Sequence, residues 1–189
     1  MSLPPELQSA LLGRRVVFLR GRLDDAAANN AIAQLLLISR TGAGQPIELY
    51  IDCPGGSVGS ALAVYDSLQS LSAAVSTTCL STCGGAAVVV LAGGAAGKRF
   101  ALPHARIHLA EDPVDLSPGR PDALANQVQE VARIRERWQQ ALVQHTLHSA
   151  EHLARDVAAG RWLSAAEARD YGLVDGITPA TLGGVPPLP

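Results

Sequence analysis

The chemistry-bearing residues of this chain are few, and their spacing narrows what they can do. Residues 51–69, IDCPGGSVGSALAVYDSLQ, run from a strand through a Pro-Gly-Gly turn into an apolar helical stripe. Glycine lets a backbone approach a ligand closely and take φ > 0. Such a turn therefore presents N–H groups that can hold an oxyanion or pair with an extended peptide. The plainer reading is a tight turn. Cys83 and His108 are a second possibility, since a thiol beside an imidazole is a nucleophile–base pair. Their plainer reading is a small buried cysteine and a strand histidine. His145, His148 and His152 are three and four residues apart and could share a helix face, but no further ligand completes a metal set. They read as exposed helix-end residues, with no metal and no cofactor expected.

The elements that must position these groups alternate. Arg15–Leu19 (RVVFL) reads as a strand, and Asp24 or Asp25 can cap a helix over 26–39. Ile47–Ile51 is a second strand, followed by a helix with Val58, Ala61, Leu62, Tyr65 and Leu68 on one stripe. Residues 73–80 make a third strand and 84–91 a buried helix. Two short strands flank Pro103, over 99–102 and 106–109, and the Pro-rich stretch 112–121 reads as a loop. A long helix is predicted over 122–147, with Leu124, Val128, Val131, Ile134, Trp138 and Leu142 on one face. A shorter helix follows from Ala150. Ser164 and Glu167 have capping-box spacing for a last helix that stops at Gly172. Strand–helix alternation of this kind favours an α/β layered fold with a mainly parallel sheet. The domain plan is a short extension over 1–10, one domain over 11–177 and a loose Pro-rich tail over 178–189.

Composition limits the function classes. The 189 residues suit one domain, 48% are hydrophobic and 17% charged, and the net charge is -2. Nothing there favours nucleic acid or an anionic membrane as partner. Three sparse cysteines, Cys53, Cys79 and Cys83, suit reduced thiols, and the start shows no signal-peptide pattern, so a cytoplasmic protein is expected.

The ordered set of segments resembles the ClpP family, the proteolytic subunits of ATP-dependent Clp proteases. The PGG turn and its helix match that family's S-P-G-G segment. So, in order, do LLGRRVVFLRGRLDD (11–25), NNAIAQLLLIS (29–39), GKRFALPHARIHL (97–109), the helix at 122–147 and LSAAEARDYGLVDGI (163–177). The resemblance implies a ClpP/crotonase-type fold of stacked strand–helix units with a protruding handle helix. The family's catalytic serine lies in G-x-x-S-M-G-A, and Gly85 takes that position, with Ala86 next. Its histidine lies in M-I-H-Q-P, aligned with His108-Leu109-Ala110-Glu111-Asp112, so Ala110 takes it. Its aspartate, in R-D-x-F, falls on Gly160. The three roles need a hydroxyl, a base and an orienting acid, and glycine and alanine supply none of them. The oxyanion-type N–H groups of Gly56 and Ala86 are backbone and would survive the substitutions.

The resemblance thus implies a noncatalytic, ClpR-like subunit. It would form homo- or hetero-oligomers with ClpP-type subunits in heptameric, stacked rings, and meet an AAA+ Clp ATPase through other subunits. The segment before Leu11 is shorter than the family's axial loop, so direct gating is not expected of it. Two other functions stay open. One is an active serine-type endopeptidase whose catalytic groups are elsewhere, with Cys83 and His108 the candidates. The other is a crotonase-like protein binding an acyl-CoA thioester at Gly56 and Ala86.

Overall fold

A computed structural model describes residues 4–41, 44–114, 118 and 120–178 of the chain. The sheet is built by strands whose β-branched and aliphatic residues are covered by helices. Strand β1 (Val16–Arg20) leads to helix α2 (Asp25–Arg40), which Asp24 caps by accepting from the Ala27 N–H. Before β1 lies α1 (Pro5–Gly13), which the sequence pattern does not announce: Pro5 suits a first helical turn, but the helix buries no residue and so has no apolar stripe. Strand β2 (Ile47–Cys53) gives way at Pro54-Gly55-Gly56 to α3 (Val58–Ser70), capped by Ser57. Strand β3 runs over Val75–Gly84, four residues beyond the expected end at 80. The expected buried helix begins as a 3-10 turn at Gly85–Ala87 and becomes α4 (Val88–Ala92), whose five residues are all buried.

Strands β1, β2, β3 and β4 (Arg99–Ala101) are successive parallel neighbours, and β4 pairs with the two-residue β7 (Gly176–Ile177) at the edge. The extra length of β3 has a purpose. Its first half pairs β4 at Thr77–Cys79, and its last three residues pair β5 (Arg106–Leu109), with Gly84 opposite His108. Antiparallel to β5 lies β6 (Arg161–Ser164), another strand that the sequence pattern hides because two of its four side chains are exposed.

The long helix α5 is Pro121–Val143, ending four residues before the expected 147. Its base is buried at Trp138, Ala141 and Leu142, whereas Val128 toward its tip is 53% exposed. Helix α6 (Ala150–Ala158) and helix α7 (Ala165–Tyr171) follow, the latter with the full Ser164–Glu167 capping box and Gly172 in the left-handed conformation as its stop. Arg99 closes this end of the molecule. Its backbone N and Nε donate to Asp175 Oδ2 at 2.9 and 3.0 Å, and Nη1 reaches the carbonyls of Gly172 (2.9 Å) and His145 (3.3 Å). The tail beyond Thr178, like part of the 112–121 loop, lies outside the described residues. Among the described residues no helix is long and apolar enough to cross a membrane.

Candidate functional site

The Pro-Gly-Gly turn, the end of β3 and the end of β5 meet at one corner. The turn is held by Leu23, whose N–H donates to the Gly55 carbonyl and whose own carbonyl accepts from the Ser57 N–H, at 2.9 and 2.7 Å. Gly55 and Gly56 have φ of 132° and 153°, and a Cβ on Gly56 would overlap the Leu23 carbonyl. Glycine at 56 is therefore a steric requirement of this turn. Across the corner, the 3-10 turn starts with Gly85 at φ 48° and exposes the Ala86 N–H to the same space.

That N–H is occupied. Asp112, buried at 8% exposure, places Oδ2 2.6 Å from Ala86 N and accepts its hydrogen bond. A Cβ on Gly85 would fall on the same carboxylate, and one on Gly55 would come within 2.5 Å of Oδ1. Glycines 55 and 85 thus form the cradle that lets an aspartate lie flat on the corner. The base of α5 holds both sides of the contact. Arg135 Nη2 donates to the Asp112 carbonyl (3.2 Å), Arg135 Nη1 pairs with Glu111 (2.9 Å), and Trp138 Nε1 donates to the Ala86 carbonyl (3.1 Å). Val58, Ala86, Ala110, Asp112, Arg135 and Trp138 leave a residual cavity of only about 10 Å³, at or below what one water needs. A wider groove of about 560 Å³ opens beside it, between Gly56–Val58, Pro113 and the Val131–Ile134 stretch of α5.

Of the three positions aligned with the family's catalytic residues, Gly85 and Ala110 border Asp112 at this corner, and Gly160 faces His108. Ala110 lines the small cavity with Ala86. Gly160, at φ 63°, faces His108: a Cβ there would meet only His108 Nε2, at 3.6 Å. His108 itself stacks on Trp162, with ring centroids 4.1 Å apart and planes 7° from parallel.

The displaced Cys83–His108 pair lacks the geometry it would need. Cys83 is in register with Ile107, and His108 with Gly84, so alternation sends the two side chains to opposite faces of the sheet. Complete burial also pushes the Cys83 thiol well up, away from thiolate. Burial does the same to Cys53 and takes Cys79 up to about 12. The three histidines differ from their expected exposure, because neighbouring tyrosines cover them. His145 hydrogen-bonds Tyr65 Oη at 2.9 Å, and His148 stacks on His152 and meets the Tyr171 ring at a tilt of 51°. Burial, with Arg99 nearby, lowers the His145 pKa. Among the described residues no cluster of metal-ligating side chains occurs.

Asp112, Arg135 and Trp138 were not legible as site residues. Asp112 follows Ala110 by two, at the position where the M-I-H-Q-P stretch has proline, and that substitution was the available signal.

Comparison with known proteins agrees with the architecture. A family model described as Clp protease matches residues 5–181. ATP-dependent Clp protease proteolytic subunit 1 of Thermobifida fusca (strain YX) is 36% identical over 169 residues, which cover 89% of this chain and 76% of that protein. Neither match supports the acyl-CoA-binding alternative. With its parallel sheet, its Pro-Gly-Gly corner and its long α5, the chain belongs to the Clp protease family.

Proposed function

We propose that the chain is a noncatalytic ClpP-like subunit, acting in the assembly or regulation of a ring-shaped Clp protease. The observation that carries this reading is that Gly85 and Ala110 both border Asp112 at a corner that keeps its backbone, with Gly160 facing His108, so that none of the three aligned positions offers a nucleophile, a base or an orienting acid. Acyl transfer by a serine needs all three together. Assembly draws support from α5: Val128 is exposed near its tip, with Leu124 and Val131 on the same face only half covered. An apolar face of this kind is stabilised by a partner surface. The partners would be ClpP-type subunits, of this chain or of an active paralogue, in stacked heptameric rings, with any AAA+ ATPase met through other subunits. Three free, buried thiols accord with a reducing, cytoplasmic setting.

The test is purification alone and with each coexpressed ClpP paralogue, followed by peptide hydrolysis and size measurement. The expected result is no hydrolysis by the chain alone and co-elution in a ring-sized complex. Hydrolysis by the isolated chain, abolished by a serine- or thiol-directed inhibitor, would establish the competing reading of an active endopeptidase. A chain that stays monomeric beside every paralogue would remove the assembly role.

A further inference from the structure

We propose that residues 110–114 form a self-occluding strap over a peptide-binding corner, with Asp112 as an internal ligand of the Ala86 N–H. This rests on reading the corner as the vacated catalytic site, and deepens that reading. An N–H aimed at this space would otherwise meet the oxygen of an incoming acyl group or carboxylate. Asp112 supplies such an oxygen from within the chain, at 2.6 Å, in a charge-assisted bond of the stronger class. The fit is two-sided. Glycine at 85 and glycine at 55 are what make room for the carboxylate, since a Cβ at either position would collide with it. A serine at position 85 and Asp112 in this pose exclude one another.

The strap is also latched. Arg135 and Trp138, one helical turn apart on α5, grip the two partners separately: Arg135 takes Glu111 and the Asp112 carbonyl, and Trp138 takes the Ala86 carbonyl. Arg135 lines both the small 10 Å³ cavity and the adjoining 560 Å³ groove. Release of Arg135 would free the strap toward that groove and uncover the Ala86 N–H for an acyl or carboxylate oxygen from an extended peptide lying there.

Two measurements on the full-length chain test this. Hydrogen exchange, read on the 84–91 peptide, should show the Ala86 amide exchanging at least about tenfold faster in Asp112→Ala. A smaller increase is expected in Arg135→Gln, which removes the latch but keeps both Asp112 and Ala86. Parent-rate exchange in both variants would overturn the strap. The second measurement is fluorophosphonate labelling of a chain carrying Gly85→Ser, Ala110→His and Gly160→Asp, with and without Asp112→Pro. The three changes alone should give no label, and the addition of Asp112→Pro should give label at position 85. Equal labelling without the fourth change would overturn the exclusion of the serine by Asp112. If exchange responds but neither restored chain is labelled, the strap stands and the assignment of 85, 110 and 160 as the catalytic positions falls.

Discussion

The corner at Arg99 and the corner at Ala86 use the same components: an aspartate, an arginine and backbone N–H and carbonyl groups. At Arg99 the components are in direct contact, with the guanidinium on Asp175 and its remaining donors on the carbonyls that end α7 and follow α5. Both side chains are mostly buried, at 13% and 23% exposure. At Ala86 the components are split. Asp112 takes the N–H, while Arg135 stays on the strap's exterior and pairs with the half-exposed Glu111. The first corner is a clasp between distant chain segments. The second is a cover over the Ala86 N–H. The same functional groups therefore contribute stability in one place and occlusion in the other, and what separates them is whether the charge pair is enclosed.

That difference can be broken or sharpened by substitution. Arg99→Ala should have the largest effect, since it removes the guanidinium from Asp175 and from two carbonyls and leaves only backbone donors on the carboxylate, and a loss of about 3 kcal/mol in urea unfolding is expected. A loss under about 1 kcal/mol would put the two corners in one class. The acid limb of stability should report the same clasp. Burial alone would push the Asp175 carboxyl up, but its hydrogen bonds with Arg99 outweigh that and hold it below the ordinary range. The unfolded chain then binds more protons, so this contribution is complete above the ordinary aspartate pKa and is lost as pH falls below about 4. A urea-midpoint series from pH 6 to pH 3 should be visibly flatter for Arg99→Ala than for the parent.

At the Ala86 corner the effects should be smaller. Trp138→Phe removes the donor to a buried carbonyl and part of a buried ring, and about 2 kcal/mol is expected from the same unfolding measurement. A cost equal to that of Arg99→Ala would mean that the cover is itself a structural clasp. Arg135→Gln should change stability least, by less than about 1 kcal/mol, because its pair with Glu111 is 31% and 41% exposed. A larger cost would show that the strap contributes to folding.

Much of this fold is written in local signals. Asp24, Ser57 and the Ser164–Glu167 box mark helix starts, Gly172 marks a stop, and the apolar stripe of α3 points inward as its spacing requires. What stayed hidden lacks such signals. Helix α1 has no fully buried residue, and β6 becomes a strand only because β5 offers it an edge. The site divides in the same way. Tiny residues at 85, 110 and 160 are visible wherever their flanks fix the alignment. The role of Asp112 is not, since it depends on β3 and β5 bringing two residues 26 apart in sequence within hydrogen-bond distance. The covering of the three histidines by Tyr65 and Tyr171 is likewise a product of the fold and not of spacing.

Trp138 gives α5 a mechanical character. The helix is pinned to the Ala86 carbonyl near its base, with 17 residues reaching outward to Pro121 and five inward to Val143. At about 1.5 Å per residue those arms are roughly 25 Å and 7 Å long. A lever with that ratio converts a displacement of several ångströms at its tip into about one ångström at its root. Whatever docks on the tip would be felt at the root as a pull on the Ala86 carbonyl and on the Arg135 bonds to Glu111 and Asp112.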